Sequence, residues 1–280
     1  MKEFIEILKA ILLGIVEGIT EWLPVSSTGH MILLDELVPL KVSDAFLEMF
    51  LVVIQLGAIL AVPILFFDKL NPFSKRNKNG AEKGSVISLW LKVIVGVLPA
   101  AVLGLLFDDF FDEHFYNYKV VAIALIVYGL AFIVVERLRA KSDKPYRITD
   151  VYDMTYRDAL TVGCFQMLSL IPGTSRSGST ILGGILTGVD RTAASEFSFF
   201  MAIPVMLGAS LLKVVKFVAD GFTATSFELV LLGVGILVSF LVSLVSIKFL
   251  MNFVKRHSFS PFGVYRIILG ALVFGFFLIR

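Results

Sequence analysis

Two carboxylates, a histidine and several hydroxyls are crowded into residues 17–30, EGITEWLPVSSTGH. Glu17 and Glu21 are four residues apart, so a helix would place them on one face. A charged side chain at the middle of a bilayer costs about 2.5–3.5 kcal/mol on insertion scales, and two carboxylates on one face also repel each other. The pair therefore predicts a bound divalent cation, or one protonated acid beside one base. The alternative is an interfacial position beside Trp22, where both carboxylates meet water.

The same segment offers groups that could act on phosphorus. Ser26, Ser27 and Thr28 form a hydroxyl-rich break before Gly29. Such residues cap a following helix, and a hydroxyl among them could also attack a phosphorus atom or donate a hydrogen bond to a phosphate. His30 follows within a few turns of both carboxylates, where it could act as general base, general acid or nucleophile.

A second cluster, IPGTSRSGST at residues 171–180, holds one arginine among glycines and hydroxyls. The chain must turn here, and a helix should restart near Ser177. The N-terminus of a helix offers free N–H groups to an anion, and the planar fork of Arg176 matches phosphate oxygens. The alternative is a structural ion pair between Arg176 and Glu17 or Glu21.

The elements that position these groups must lie in a membrane. The chain has 280 residues, of which 57% are hydrophobic and 17% charged, against about 45–50% and about 25% in soluble domains. Cys164 is the only cysteine, which excludes an internal disulfide and a cysteine metal site. Six apolar segments are long enough to cross a bilayer as helices: 46–67, 86–107, 118–138, 194–216, 227–251 and 262–279.

The charges of the connecting loops predict how the spans are oriented. Lysine and arginine concentrate in three loops, namely 68–85, 137–157 and 252–261, whereas loop 108–118 contains neither. Because basic loops stay in the cytoplasm, the first three loops lie inside and loop 108–118 lies outside. Lys213 and Lys216 then fall near the outer end of their span, which opposes this orientation mildly.

Two apolar segments, 1–40 and 158–190, are interrupted by proline, glycine and hydroxyl residues. In the predicted orientation, segment 158–190 must enter and leave on the cytoplasmic side, and segment 1–40 on the outer side. Each is therefore expected to be a re-entrant helix–loop–helix. Non-helical backbone at membrane depth is tolerated only when it is buried in protein or lines a wet cavity, so these segments should line the functional site.

The two interrupted segments also suggest an internal repeat. Leu23–Ser27 aligns with Ile171–Ser175 at an offset of 148 residues (172 − 24), and the same offset relates Glu48 to Glu196. The halves have opposite predicted orientations, as in inverted-topology repeats. The predicted fold is an all-α polytopic membrane protein with six transmembrane helices and two re-entrant segments. It forms a single membrane domain over residues 1–280, with inverted halves at about 1–140 and 150–280.

The two clusters together indicate phosphoryl chemistry. An arginine at a helix N-terminus favours phosphate, and the carboxylates Glu17 and Glu21 tolerate phosphate only when a divalent cation, Mg²⁺ or Ca²⁺, bridges them or when they are protonated. A substrate reached from within the membrane should be a lipid phosphate or diphosphate. The rival is a transporter or flippase for such a lipid, because inverted repeats with broken helices are common in transporters.

The stretches EGITEWLPVSSTGH and PGTSRSGST resemble the two motifs of the undecaprenyl-diphosphate phosphatase family, also called bacitracin-resistance proteins. The stretches DMTYRDALTVGCFQ and RTAASEFSFFMAIP extend the similarity along the chain. The resemblance implies a hydrolase of the bacterial plasma membrane that converts undecaprenyl diphosphate to the monophosphate and inorganic phosphate. That reaction recycles the lipid carrier for peptidoglycan and other wall polymers and lowers the target of bacitracin. Divalent cations stimulate this family, and the site is expected to open to the extracytoplasmic side.

The resemblance also assigns roles to residues of this chain. The expected catalytic residues are Glu17, Glu21, Ser27, His30 and Arg176, with Glu17 and Glu21 as the candidate metal ligands. The expected phosphate-binding residues are Ser26, Thr28, Gly173, Thr174, Ser175, Ser177, Gly178, Ser179 and Thr180. In the mechanistic hypothesis, Ser27 activated by His30 attacks the terminal phosphorus, or else His30 activates a water. The expected partners are the polyprenyl diphosphate and membrane lipids, without nucleic acid, and a homodimer is left open.

Overall fold

A computed structural model describes residues 1–74, 80–115, 117–142 and 144–279. These residues form twelve α-helices and no β-strand. In chain order the helices are α1 (Lys2–Thr20), α2 (Ser27–Leu37), α3 (Asp44–Val53), α4 (Gln55–Leu65), α5 (Phe67–Leu70), α6 (Gly80–Phe115), α7 (Tyr118–Ala140), α8 (Tyr156–Met167), α9 (Arg176–Leu186), α10 (Arg191–Ala219), α11 (Ser226–Val254) and α12 (Ser260–Ile279). Short 3₁₀ turns occupy Val151–Asp153 and Leu168–Leu170.

The six predicted spans are confirmed among the described residues, where six helical segments are long and apolar enough to cross a membrane. They are Asp44–Leu65, Ser85–Phe107, Tyr118–Ala140, Arg191–Ala219, Ser226–Val254 and Ser260–Ile279. The first span consists of α3 and α4, which are continuous except at Ile54. Three of the basic residues used to orient the spans, Lys75, Arg76 and Lys78, lie outside the described residues.

Side-chain caps fix where several of these helices begin. Asn117 accepts a hydrogen bond from the Val120 amide (3.0 Å) at the start of α7, and Asp190 accepts one from the Ala193 amide (2.7 Å) at the start of α10. Thr225 forms a capping box at the start of α11. A cap satisfies N–H groups that have no partner within the helix, so these short polar residues set the boundaries of the apolar spans.

The two interrupted helix pairs pack against different spans. α1 lies against α11, where a Cβ added to Gly18 would come within 2.8 Å of the Ser239 carbonyl oxygen. α8 lies against α6, where a Cβ added to Gly163 would come within 2.2 Å of the Gly96 carbonyl oxygen. Only glycine permits such close approach of two helix backbones, so these residues allow α1 and α8 to pack directly against α11 and α6.

Both predicted breaks are present. α1 ends at Thr20 and α2 begins at Ser27, whereas α8 ends at Met167 and α9 begins at Arg176. We call the connection 21–26 the first turn and the connection 171–175 the second turn. The two turns meet through the start of α9, where Ser177 donates its hydroxyl hydrogen to the Glu21 carbonyl oxygen (3.0 Å).

Candidate active site

The two turns end in the same unusual helix cap. Ser26 (φ 74°) and Ser175 (φ 72°) are the only non-glycine residues with positive φ in the part of the chain that the structure describes. Each side chain accepts a hydrogen bond from an amide three residues later, Gly29 at 3.4 Å and Gly178 at 3.1 Å. The left-handed conformation costs about 1–2 kcal/mol for a non-glycine residue. Backbone strain of this kind is concentrated at functional sites, so both turns are candidates for one.

A carboxylate, a hydroxyl and a guanidinium meet where the turns touch. The Ser27 hydroxyl donates to Glu21 Oε2 (3.2 Å), and Arg176 Nη2 donates to Glu21 Oε1 (3.1 Å). Glu21 is 7% exposed. The structure therefore brings together three of the five predicted catalytic residues around one buried carboxylate, which lies between a potential nucleophile and a fixed positive charge.

Arg176 retains donors for a further ligand. Its Nη1 donates to the Ser198 carbonyl oxygen (2.8 Å), and its buried Nε has no hydrogen-bond partner. The ion pair that the sequence offered as an alternative is present, and its carboxylate is Glu21. A guanidinium has five N–H donors, so pairing with Glu21 does not exhaust what Arg176 can bind.

Glu17 lies one helical turn before Glu21 on α1. The exposed fractions are 1% for Glu17 and 7% for Glu21, so the alternative that both meet water at the interface is wrong. Glu17 Oε1 is buried without a hydrogen-bond partner. A buried carboxylate without a partner is costly unless it gains a proton or a cation, which leaves both predicted states of this pair open.

The pair also fits a divalent cation. Mg²⁺ is usually held by one or two carboxylates together with water and substrate phosphates. The unpartnered Glu17 oxygen is the free acceptor that such an ion needs. In the described part of the chain, no group of three or more histidine, cysteine, aspartate or glutamate side chains could hold a metal by itself. A cation at Glu17 and Glu21 would therefore depend on oxygens from the substrate or from water.

His30 has partners other than Ser27. Its Nδ1 lies 2.7 Å from the Ser26 carbonyl oxygen, and its Nε2 lies 2.6 Å from the Tyr265 hydroxyl. The expected activation of Ser27 by His30 remains a hypothesis, and in this geometry the hydroxyl of Ser27 is bonded to Glu21. Tyr265 was not singled out from the sequence, because nothing local to α12 indicates a contact with α2.

The predicted phosphate-binding residues fall into two groups. The partly exposed members are Thr28 and Ser175, and the buried members are Ser26, Gly173, Thr174, Ser177, Gly178, Ser179 and Thr180. Several buried hydroxyls support the backbone of the second turn and α9. Ser179 donates to the Arg176 carbonyl oxygen (3.0 Å), and Thr180 Oγ1 lies 2.7 Å from the Ser198 hydroxyl. Gly173 has φ 89°, and a Cβ there would come within 2.6 Å of the Val121 carbonyl oxygen.

Arg266 is a residue of this site that sequence reasoning missed. It is 0% exposed, and its guanidinium donates to the carbonyl oxygens of Pro24 (3.2 Å), Gly173 (2.8 Å) and Thr174 (2.9 Å). One side chain of α12 thus holds both turns. A signal was available, because Arg266 is the only charged residue within the span 260–279. An ionisable residue inside a span is a functional-site candidate by default.

Comparisons with known proteins identify the family of this chain. The family model described as bacitracin resistance protein BacA matches residues 10–272. An undecaprenyl-diphosphatase of Enterococcus faecalis is 58% identical over 275 residues, covering 98% of this chain and 99% of the relative. Undecaprenyl-diphosphatase 1 of Clostridioides difficile is 56% identical over 273 residues, covering 98% and 97%. An undecaprenyl-diphosphatase of Desulfitobacterium hafniense is 55% identical over 277 residues, covering 99% and 98%.

Proposed function

This chain belongs to the bacitracin resistance protein BacA family, and on that premise we propose that it hydrolyses undecaprenyl diphosphate to undecaprenyl phosphate and inorganic phosphate. The monophosphate is the form of the lipid carrier that cell-wall synthesis uses again. Removal of the diphosphate also removes the target of bacitracin. The enzyme is a multi-pass membrane hydrolase, and its substrate reaches the site from the lipid.

One observation carries the proposal, namely the network Ser27–Glu21–Arg176 between two helix N-termini. A hydroxyl bonded to a carboxylate is prepared to lose its proton as it attacks. A guanidinium beside it stabilises the charge that develops on phosphate oxygens. A carrier that only moved a lipid phosphate would need the guanidinium but not the prepared hydroxyl.

We infer the following steps. The Ser27 Oγ attacks the terminal phosphorus, and its proton passes to the Glu21 carboxylate as the new P–O bond forms. The bond from that phosphorus to the bridging oxygen breaks, and undecaprenyl phosphate leaves with the bonding electron pair. Water then attacks the phosphoserine, the bond from Ser27 Oγ to phosphorus breaks, and Glu21 returns its proton to Oγ. Inorganic phosphate leaves with the hydrogens of the water, and Ser27 and Glu21 regain their starting states. Direct attack by a water that His30 activates is the competing route, and it leaves no phosphoserine.

The diphosphate is held mainly by Arg176 and the backbone. The first N–H groups of α2 and α9 have no partner within their helices. Both helices begin at the contact between the turns, so both dipoles favour an anion there. Thr28 and Ser175 are partly exposed at these N-termini and can add hydroxyl donors. The buried Ser177, Ser179 and Thr180 keep this frame rigid.

Glu17 and Glu21 are the side chains that would hold Mg²⁺ or Ca²⁺. When bound, such an ion neutralises the charge of the diphosphate beside the two carboxylates. Glu21 is also the proton acceptor in the steps above, and it loses its negative charge when it takes the proton. Glu17 would therefore supply much of the negative charge that holds the cation.

We propose the predicted topology for the membrane, with the site open to the extracytoplasmic side of the plasma membrane. The segments α1–α2 and α8–α9 would be re-entrant from opposite sides, as inverted repeats. Two observations support the repeat. The caps Ser26 and Ser175 share one geometry. One ion pair also runs in each direction between the halves. Glu48 of the first half bonds Lys213 of the second (3.3 Å), and Glu196 of the second half bonds Lys69 of the first (2.6 Å).

The test of the activity is phosphate release from undecaprenyl diphosphate by the purified protein in detergent, with Ser27→Ala alongside. We expect release by the wild type and a loss of roughly 1,000-fold or more in the variant, because a nucleophile cannot be replaced by binding alone. Ser169→Ala is the matched control, since its hydroxyl bonds the Gln166 carbonyl oxygen (2.7 Å) away from the network. Chelation with EDTA should stop release, and Mg²⁺ or Ca²⁺ should restore it.

Other results would change the proposal in distinct ways. No release under any divalent-cation condition would remove the hydrolase and favour the lipid-phosphate transporter. Unchanged release in EDTA would remove the cation. Rapid quench with substrate labelled on the terminal phosphate should trap label on Ser27, and its absence would favour direct attack by water. For the topology, an impermeant maleimide should label a cysteine at Gly221 but not at Ser142 in intact cells carrying Cys164→Ser.

A further inference from the structure

Tyr265 makes a contact that none of the steps above uses. Its hydroxyl lies 2.6 Å from His30 Nε2, and the two rings stack with centroids 5.6 Å apart and planes 11° apart. Tyr265 lies on α12 next to Arg266, and His30 lies on α2, so the contact joins residues 235 positions apart. A hydroxyl and a parallel ring together fix both the position and the plane of the imidazole.

The partners of His30 also fix where its proton lies. A carbonyl oxygen can only accept, so the nitrogen facing Ser26, Nδ1 at 2.7 Å, must carry a hydrogen. In the neutral ring Nε2 is then an acceptor, and the Tyr265 hydroxyl donates to it. If the ring becomes cationic, Nε2 donates and the phenol oxygen accepts. Tyr265 can therefore stay bonded to His30 in both states.

These contacts continue to the nucleophile. The carbonyl that His30 bonds belongs to Ser26, the strained cap of α2, and the next residue is Ser27. On the other side of the same turn, Arg266 donates to the Pro24 carbonyl oxygen (3.2 Å). Two neighbouring residues of α12 thus hold the first turn, Arg266 directly and Tyr265 through His30. No other described contact joins the Tyr265 hydroxyl to the turn.

We propose that Tyr265 is a positioning residue for the hydrolysis. It fixes His30 in the tautomer with hydrogen on Nδ1, and His30 in turn holds the Ser26 carbonyl so that the Ser27 hydroxyl stays directed at Glu21. The kinetic part of this inference rests on the proposed function, whereas the contact between Tyr265 and His30 does not.

The kinetic test compares Tyr265→Phe with the wild type in the phosphate-release assay. Phenylalanine keeps the stacked ring and removes only the hydroxyl, so we expect the folded protein to persist with an unchanged KM. We expect kcat to fall about 10- to 100-fold, because small misplacement of a reacting group costs up to about 100-fold. Tyr118→Phe is the matched control, since Tyr118 stacks on Phe277 (4.8 Å) away from the turns.

A double variant separates positioning from a general structural effect. If Tyr265 acts through His30, Tyr265→Phe should lower kcat little further in a His30→Ala background. If the fold-losses in kcat of Tyr265→Phe and His30→Ala multiplied in the double variant, the inference would be overturned. A wild-type kcat in Tyr265→Phe alone would overturn it as well. Inactivity of the wild type would instead contradict the proposed function and leave the spectroscopic test below to decide the contact.

The spectroscopic test reads the tautomer directly. The chain has three histidines, so ¹⁵N-histidine labelling gives few resonances, and His30→Ala identifies those of His30. We expect a protonated Nδ1 and an unprotonated, hydrogen-bonded Nε2 in the wild type, with the Nε2 shift moving in Tyr265→Phe. A His30 spectrum that Tyr265→Phe leaves unchanged would overturn the inference, even if that variant failed to work as an enzyme.

Discussion

The first and second turns have the same backbone frame but carry different chemical groups. Each ends in a serine with positive φ whose side chain caps the next helix. The residue after the cap is Ser27 in the first turn and Arg176 in the second. Both side chains bond the Glu21 carboxylate. In the proposed mechanism, one frame thus presents the attacking hydroxyl and the other presents the positive charge, and the Glu21 carboxylate is bonded to both.

The helices that enter the turns, α1 and α8, also carry different chemical groups at corresponding positions. Glu17 on α1 and Gln166 on α8 are 149 residues apart (166 − 17), the same separation as the caps Ser26 and Ser175 (175 − 26). Both are 1% exposed and both have side-chain atoms without a partner. The helix that enters the first turn thus carries a carboxylate, Glu17, whereas the helix that enters the second turn carries an uncharged amide, Gln166. The site is therefore built from two similar frames without being a symmetric pair of sites.

After Ser27→Ala, the largest expected effect is that of Arg176→Ala, which tests whether the positive charge must come from Arg176 at the second turn. Arg176→Ala should lower kcat/KM by about 100- to 1,000-fold, the usual cost of removing a donor that stabilises developing charge. Arg176→Lys should recover part of the loss, because lysine restores the charge but not the planar fork. The measurement is kcat/KM for phosphate release in detergent.

Arg147→Lys is a control for the conservative exchange, because the Arg147 side chain pairs with Asp158 and bonds the Thr187 carbonyl oxygen, and neither partner belongs to a turn. It should keep kcat/KM near that of the wild type. If Arg176→Ala retained wild-type kcat/KM, the division of roles between the two turns would be wrong, and Arg176 would be the structural partner of Glu21 alone.

A smaller effect tests whether the two frames are equivalent. Alanine at Ser26 or Ser175 removes the cap, at about 1 kcal/mol, and keeps a side chain in the left-handed region. Glycine removes the same cap but adopts positive φ freely. At both positions we therefore expect the glycine variant to unfold at a higher temperature than the alanine variant. Thermal unfolding in detergent measures this order, and opposite orders at the two positions would show that the frames are not equivalent.

The sequence predicted the parts of the site that depend on local pattern. Apolar length predicts the spans, and the proline, glycine and hydroxyl residues predict both breaks, because each signal acts within a few residues. The predicted alignment of the turns and the positions of the two caps differ by one residue. The alignment matched Pro24 with Pro172 at 148, whereas the caps are 149 apart, because the second turn has one more residue between its proline and its cap. Gly173, with φ 89°, lies within this longer connection.

The contacts made by α12 could not be predicted in the same way. Tyr265 reaches His30, and Arg266 reaches Pro24 and Gly173, across 235, 242 and 93 positions. These contacts follow from the packing of α12 beside α7 and α2, and no periodicity in one segment encodes a partner in another. The lone arginine in an apolar span shows that a polar contact is needed, but not which carbonyl oxygens provide it.

The smallest expected effect concerns how the two interrupted helices begin. α8 starts with a capping box of Thr155 and Asp158, and Asp158 also pairs with Arg147, whereas α1 starts without a side-chain cap. Burial raises the pKa of Asp158, but the hydrogen bonds from Arg147 and Thr155 outweigh it, so this pKa lies below the ordinary 3.8. A lowered pKa means that the ionised group stabilises the folded state above pH 3.8, and that this stabilisation is lost as the pH falls through the lower folded value.

Asp158→Asn should therefore lower the unfolding temperature at neutral pH, by the equivalent of about 1 kcal/mol, because it weakens the charged hydrogen bonds from Arg147 and Thr155. The difference from the wild type should close as the pH falls below 3.8. Glu3→Gln is the matched control, since Glu3 is exposed in the first turn of α1, and it should change the unfolding temperature little at any pH. A difference for Asp158→Asn that persists in acid would mean that packing, and not the charge, anchors α8. The start of α8 would then resemble that of α1, and the asymmetry of the two halves would be confined to the groups around Glu21.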